Sequence, residues 1–339
     1  MSEMKIISSL SDISLNQDDF PIFFWNKWKT LEETLNHKQR LLCADEECNV
    51  VAFTIYTMKF FKKADYLYVP LDKNGNRLSV EKEKTFLDEF HNYLKTEKIA
   101  DVIFPPSHIV TFNVVPKNVT FYKLGMLIVD LTKNEDEIFS FVNKDHRKQI
   151  RKAETLGVFV NWGECNLLPF YACFQKSVKH KGFSNVPIEY FEEMLCTIGR
   201  SNIDVGIVSY NDCVEASIFC LKDKRNVYPL YSGTSFIPQY KGSNKYLFWQ
   251  MYLKYKQEGI ERYISGGYRY GLASDDPLHN VHLFKLGMGA EIEDGYHFIK
   301  VINPLKYNLV NFAMRCKSLL TGKNYSFVNL KGLDVKKSK

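Results

Sequence analysis

The chain has 339 residues, of which 45% are hydrophobic and 14% aromatic, with a formal net charge of +6. That is material for one large core or two of ordinary domain size, so a globular protein is expected. No stretch approaches the roughly 20 apolar residues that span a bilayer. Residues 1–19 are polar and acidic where a secretory signal would be basic and then apolar, so the chain is expected in the cytoplasm, at most at the inner face of a membrane. The eight cysteines are scattered, with no pair at zinc-ribbon or dithiol spacing, and are expected to be reduced thiols.

In chain order, residues 20–35 have helical spacing with an apolar aromatic face formed by Phe23, Phe24, Trp28 and Leu31. Residues 40–44 and 49–58 have strand character and flank the acidic turn Asp45-Glu46-Glu47. Residues 80–97 form an amphipathic helical pattern with Phe86, Phe90 and Leu94 at i, i+4 and i+8, and 101–104 a short strand stopped by Pro105-Pro106. Residues 1–124 thus make an α/β unit without a phosphate-binding turn, a scaffold or acceptor-side domain.

From Gly125 the pattern restarts with a strand at 126–131. Thr132 has Glu135 three residues on, a capping-box arrangement ahead of Ile138, Phe139 and Phe141. The basic run Lys144, His146, Arg147, Lys148, Arg151 and Lys152 carries a second helical segment to Gly157. Helical patterns at 167–180 and 187–200 precede strands at 203–209, 213–221 and 226–236. A helix at 245–259, a strand at 261–265, the break Gly266-Gly267, a helix around 278–288, a strand at 290–302 and a helix at 304–320 complete the segment. Short antiparallel strands followed by strand, turn, helix and strand predict an α+β fold with mixed central sheets. Residues 125–325 are expected as a second domain, and 326–339 as a disordered basic tail.

Two features point to anionic ligands. Gln239-Tyr240-Lys241-Gly242-Ser243-Asn244 joins a strand to a helix, so backbone N–H groups and the positive end of the helix dipole converge there. Arg147 and Arg151 share a helix face by i, i+4 spacing. Paired guanidinium groups suit phosphates of a nucleotide sugar, a lipid-linked pyrophosphate or tRNA, and equally suit anchoring the helix to Glu154 or another acid. Asp275 and Asp276 are loop carboxylates able to accept a proton or simply solvated. His279 and His282 stand at i, i+3 without a carboxylate or third histidine at zinc-like spacing, so no metal is expected. No nucleophile elbow or Cys/His signature is present.

The order strand, Gln-x-x-Gly-x-small, helix resembles the pyrophosphate loop of the GNAT acyltransferase superfamily, with Asn244 where that pattern ends in Gly or Ala. A longer resemblance, over residues 129–301, is to the FemAB-like branch, the peptidoglycan-bridge aminoacyltransferases and their acyltransferase relatives. It rests on Asp130-Leu131, on the run from His146 to Glu154 with Gly157-Val158, and on Tyr231-Ser232-Gly233-Thr234-Ser235. Gly242 with Asn244, Gly266-Gly267 and Phe284-Lys285-Leu286-Gly287-Met288-Gly289 complete it. No charged heptad arm interrupts 129–301.

The resemblance implies two tandem GNAT-like domains and transfer of an acyl or aminoacyl group, from acyl-CoA or aminoacyl-tRNA, to an amine of a cell-envelope precursor. That acceptor is a peptidoglycan stem peptide or an amino sugar of a surface polysaccharide, expected in the cleft between the domains. It implies no metal and no tightly bound cofactor. Lys285 is the implied catalytic cation, stabilising negative charge at the reacting carbonyl or donor phosphate, unless its stem simply packs over the sheet. Gln239, Lys241, Gly242, Ser243 and Asn244 are implied on the donor side, with Tyr231, Ser232 and Thr234 lining it from the preceding strand. Arg147, Arg151, Lys152 and Phe284 are implied at the acceptor or its phosphates. A different class of reading is a non-catalytic protein that binds nucleic acid or a membrane surface through its basic helix and tail, with steep salt dependence.

Overall fold

The computed structural model describes residues 3–107, 109–181, 185–322, 325, 327 and 333–338. In chain order the elements are β1 (Lys5–Ile7), α1 (Asn26–Asn36), β2 (Gln39–Ala44), β3 (Val50–Met58), β4 (Phe61–Tyr66), α2 (Val80–Thr96), β5 (Val102–Phe104) and β6 (Thr120–Asp130). There follow α3 (Glu135–Phe141), α4 (Lys144–Thr155), β7 (Phe159–Trp162), α5 (Leu167–Lys181), α6 (Ile188–Ile198), β8 (Ile203–Tyr210), β9 (Cys213–Lys222) and β10 (Asn226–Thr234). The remainder are α7 (Ser243–Gln257), β11 (Arg262–Tyr268), α8 (Pro277–Gly287), β12 (Glu291–Val301), α9 (Pro304–Thr321) and β13 (Lys336–Lys337). They form two compact units: Met1–Gly125 with Gly267–Leu272 and Asp294–Lys339, and Met126–Gly266 with Ala273–Glu293.

In the first unit β1, β2, β3 and β4 pair antiparallel in sequence order; β5 joins β4 in parallel and the end of β12 joins β5 antiparallel, Lys300 opposite Ile103. The i, i+4, i+8 aromatics of α2 are buried, Phe90 lying edge-on to Phe53 at 5.2 Å between ring centroids. Each such ring stabilises the fold by roughly 1.5–3 kcal/mol. Ser79 caps α2 by accepting the Lys82 N–H. The core also holds polar groups: the Tyr66 hydroxyl is 2.8 Å from His91 Nε2, and Glu83 accepts the Asn113 N–H at 3.0 Å. Burial raises the Glu83 carboxyl to about 7.

The second unit carries the order β6-β11-β10-β9-β8-β7, antiparallel from β10 to β7 and parallel between β10 and β11. Phe170, Phe174 and Phe191 from α5 and α6 meet Phe219 of β9 and Tyr231 of β10 in one aromatic cluster. Gly233 allows this: a Cβ there would lie 2.6 Å from the Phe174 backbone N, so α5 reaches the strand only past a glycine. At the far end of β8 and β9, Lys222 bridges Asp204 at 2.8 Å and Glu258 at 2.7 Å, with Lys254 on the same two carboxylates.

The α+β class with mixed sheets agrees with the sequence reading. Several particulars differ. Residues 20–35 split into a short 3-10 turn at Ile22–Phe24 and α1, because Trp25 is extended and its indole N–H donates to the Phe20 carbonyl at 2.9 Å. Asn134, and not Thr132, caps α3; Thr132 instead donates its N–H and hydroxyl to Asp130 Oδ1. Residues 294–325, expected in the second domain, group with the first unit: Ile299 of β12 shares a core with Phe61, Val102 and Phe104, on which Tyr307 and Val310 of α9 pack. The basic tail, expected to be disordered, lies partly outside the described residues. Its described end pairs antiparallel with β6, Lys336 opposite Phe121, and the Ser338 hydroxyl donates to the Pro116 carbonyl at 2.8 Å.

Candidate active site

The Phe-Lys-Leu-Gly-Met-Gly motif forms the end of α8. Asp276 starts this helix by accepting the Leu278 N–H at 2.8 Å, with Pro277 in the first turn. This caps the helix with Asp276, so the carboxylate read as a possible proton acceptor has a structural task, while Asp275 is exposed. The glycines of the motif are spatial requirements. A Cβ at Gly287 would come within 2.6 Å of the His146 ring, and Gly289 has φ +89° beside Phe141. The Gly287 carbonyl accepts the Asn143 N–H at 2.8 Å, which ties the end of α8 to the start of α4. Phe284 is wedged between Phe248 of α7 (5.0 Å, 85°) and His146 (5.8 Å).

Lys285, on this helix, is half-buried and donates to the Ser265 carbonyl of β11. No carboxylate pairs with it among the described residues, and burial alone pulls its ammonium down to about 8. Lys245, in the first turn of α7, is a second cation of this kind: half-buried, without an ion pair among the described residues, and lowered by burial. His146 is lowered too, by burial first and by the charge of Lys245 second. Two uncompensated cations and an imidazole held toward its neutral form therefore come from α4, α7 and α8 of one unit. This is an environment that favours an anion or a developing negative charge.

The loop before α7 is built differently from a bare phosphate cradle. Glu215, buried in β9, accepts the Gln239 N–H at 3.0 Å and the Tyr240 N–H at 3.4 Å, so a carboxylate of the chain itself occupies the first two amides. The Gln239 side chain accepts from Asn211 at 3.0 Å. Tyr240 folds back over Gly242, whose missing Cβ would stand inside the phenol ring, and donates its hydroxyl to the Gln149 carbonyl of α4 at 2.6 Å. Ser243 is buried with its hydroxyl on the Tyr240 carbonyl at 2.9 Å. The N–H groups of Gly242, Asn244 and Lys245 make no backbone hydrogen bond across the loop among the described residues. Lys241 is exposed.

The other expected positions separate. Tyr231 is half-buried and packs its ring on the aromatic cluster, 5.0 Å from Phe191; Ser232, alternating with it, is exposed, and Thr234 is half-buried. Arg147 donates to the Phe139 and Ser140 carbonyls, at 3.4 and 2.6 Å, and Arg151 stacks its guanidinium 5.2 Å from the Phe139 ring. Arg147 thus fastens α4 to the end of α3, while Arg151 remains exposed beside the Phe139 ring, together with the exposed Lys144, Lys148 and Lys152. A groove of about 910 Å³ runs here, lined by Lys144, Arg147, Lys148, Arg151, Phe139 and Asp136, among others. His282 is buried and His279 half-buried, and no cluster of three potential metal-ligating side chains exists among the described residues.

Sequence reasoning missed Glu215, Tyr240 and Lys245. Only Glu215 left a signal: an acid in a strand whose neighbours Ala216, Ser217, Ile218 and Phe219 are all buried. The other two act through a chain reversal that spacing does not reveal.

Residues 140–273 match the family of acetyltransferase (GNAT) domains. No curated protein matches the sequence. Among solved structures, FemX aligns with a TM-score of 0.68 at 15% identity, over 91% of this chain and 99% of that one. A conserved protein of unknown function from Bacteroides thetaiotaomicron aligns at 0.53 and 12% identity, over 88% of this chain and 100% of that one. L-PGS from Bacillus licheniformis aligns at 0.50 and 14% identity, over 84% and 91%. At these identities the likeness is one of fold, and it extends over nearly the whole chain.

Proposed function

We propose that this chain, whose residues 140–273 match the acetyltransferase (GNAT) domain family and whose fold is like that of FemX, transfers an acyl or aminoacyl group to an amine of a cell-envelope precursor, with Lys285 as the catalytic cation. The observation that carries this is the half-buried Lys285 ammonium, hydrogen-bonded to the Ser265 carbonyl and without a counterion among the described residues.

In such a transfer the amine nitrogen attacks the donor's thioester or ester carbonyl, and the carbonyl oxygen takes up negative charge. The carbon–sulfur or carbon–oxygen bond then breaks, the nitrogen gives up one proton and the leaving thiolate or alkoxide gains one, so that an amide and a thiol or alcohol remain. An ammonium has three donors, and Ser265 uses one, so two are left for the oxyanion. Burial removes the water that would otherwise screen that interaction, which is where a preorganised charge is most effective. Phe284, clamped between Phe248 and His146, holds α8 and with it Lys285 in position.

The donor side is assigned to the amides of Gly242, Asn244 and Lys245 with the side chains of Lys245, Lys241 and Asn244. The Glu215 carboxylate at Gln239 and Tyr240 repels a pyrophosphate and reduces the number of amides available to it. This favours an aminoacyl ester on tRNA, which offers single phosphates, over acyl-CoA. Lys144 and Lys148 in the α4 groove, with the exposed Lys152 on the same helix, suit the phosphates of a nucleotide- or lipid-linked acceptor or of tRNA. The experiment is a transfer assay with acetyl-CoA and with charged tRNA against peptidoglycan precursors and amino sugars, wild type beside Lys285→Met. Consumption of neither donor, or full activity in the variant, would sink this reading.

A further inference from the structure

Helix α9 belongs to the first unit, and the transfer reading gives it no task. None of its residues is buried. Leu305, Leu309, Phe312, Leu319 and Leu320 are 84, 57, 66, 86 and 88% exposed. With Cys316, their spacing is 4, 3, 4, 3 and 1. At about 100° per residue this gathers all six side chains into an arc of about 100°.

The opposite side of the helix is the one that packs: Tyr307 and Val310 meet the core of Phe61, Val102, Phe104 and Ile299. The helix is therefore docked by one apolar face and presents a second, wider one to solvent. The shoulders between the two faces are cationic. Asn308 and Arg315 lie on one side, Lys306 and Lys317 on the other, and the helix contains no Asp or Glu. Lys306 is taken by Asp101 at 3.2 Å. Arg315 and Lys317 have no carboxylate partner among the described residues, Lys317 lying 4.5 Å over the Tyr325 ring. The hairpin supplying Phe61 to that core adds Phe60, 53% exposed, next to Lys59.

We propose that α9 is an interfacial anchor that lays its Leu305-Leu309-Phe312-Leu319 face into the surface of an anionic lipid bilayer. An apolar stripe with basic shoulders suits headgroup phosphates above acyl chains, with Arg and Lys stems reaching up along the helix. A second copy of this chain fits worse, since two such faces brought together would set Arg315 and Lys317 against like charges with no acid on either helix to offset them. The helix lies on the surface and does not cross it, since no described helix is long and apolar enough to span. An enzyme held this way meets acceptors presented at a membrane in two dimensions.

The test is sedimentation of the full chain with vesicles of phosphatidylcholine and phosphatidylglycerol, beside vesicles of phosphatidylcholine alone. Binding is expected to the anionic vesicles, weakening with salt. Leu309→Asp/Phe312→Asp should weaken it at least about tenfold, the loss of two buried apolar groups, with thermal unfolding unchanged because both side chains are exposed. Arg315→Glu/Lys317→Glu should abolish the preference for the anionic lipid. No binding to anionic vesicles, or binding indifferent to the Asp variant, overturns the proposal. So does a dimer in light scattering that the Asp variant turns into a monomer, since a second copy would then occupy the face. The Asp variant should transfer normally to a water-soluble acceptor, so the anchor and the chemistry stand or fall separately.

Discussion

Replacing Lys285 with methionine keeps the length of the side chain and removes its charge, and the structure assigns opposite signs to activity and stability. The ammonium is held at about 8 against an ordinary 10.5. At 1.36 kcal/mol per tenfold, burial therefore penalises the charged form by about 3 kcal/mol. Below pH 8 the group is protonated both folded and unfolded, so the penalty is felt in full. Between 8 and 10.5 the unfolded chain holds more protons than the folded one, and stability rises with pH as the penalty is relieved. Methionine removes that penalty but strands the Ser265 carbonyl, costing about 1 kcal/mol. The variant should thus be more stable than wild type by about 2 kcal/mol at pH 7, with the advantage gone above pH about 10.5. Transfer should fall by about 10²–10³, as when one oxyanion donor is lost. Urea unfolding at pH 7 and 10, beside single-turnover transfer, reads both. A variant that transfers at the wild-type rate, or that is destabilised at pH 7, would refute the reasoning.

Wild-type transfer should lose rate as pH rises through about 8, where Lys285 deprotonates, and Lys285→Arg, always charged, should not show that limb in its rate profile. Glu215→Gln weakens two hydrogen bonds to a charged acceptor, so a loss of about 1–3 kcal/mol is expected in denaturant titration, together with tighter coenzyme A binding by calorimetry. Arg147→Ala should destabilise by about 1–3 kcal/mol without changing the salt dependence of substrate binding, whereas Lys148→Glu/Lys152→Glu should reduce that salt dependence and leave the melting temperature within about 2 °C. Glu83, raised to about 7, destabilises the fold when ionised, so stability from this group is lost as pH rises from 4.5 through 7; Glu83→Gln should melt higher than wild type at pH 8 and not at pH 4.5.

The legible part of the fold was the part written in local pattern. The α2 aromatics, the β2–β3 hairpin and the strand-loop-helix around Gly242 follow from periods of 3.6 and 2 and from turn chemistry, and the structure keeps them within a few residues. β4 and β7 escaped: β4 is interrupted by Lys62 and Lys63, and β7 is four residues whose inward Val160 and Trp162 are only half-buried. At the candidate site, the motif around Lys285 could be singled out in the sequence, glycines included. The glycines stand there for His146 and Phe141, a reason that exists only once α8 meets α4. Arg147 shows the converse: i, i+4 spacing is equally good for a ligand and for a neighbouring helix end, and its guanidinium goes to the Phe139 and Ser140 carbonyls, while Arg151 stays exposed. For Tyr231, strand alternation gives two faces without saying which one carries the helices, and its ring packs on Phe191 of α6.

The division of the chain has a consequence for how the molecule comes into being. The second unit is complete once residue 293 has been made, but the first unit, begun at the N-terminus, lacks the β12 segment that pairs with β5, and α9, until residues 294–321 arrive. During synthesis the later-starting unit can finish first, while the earlier one waits with Phe61, Val102 and Phe104 uncovered, a patch that other chains or chaperones will find. Damage near the C-terminus should therefore show itself as a failure of the N-terminal half. A stop codon before Ile299 would leave a folded second unit tethered to an aggregation-prone first one.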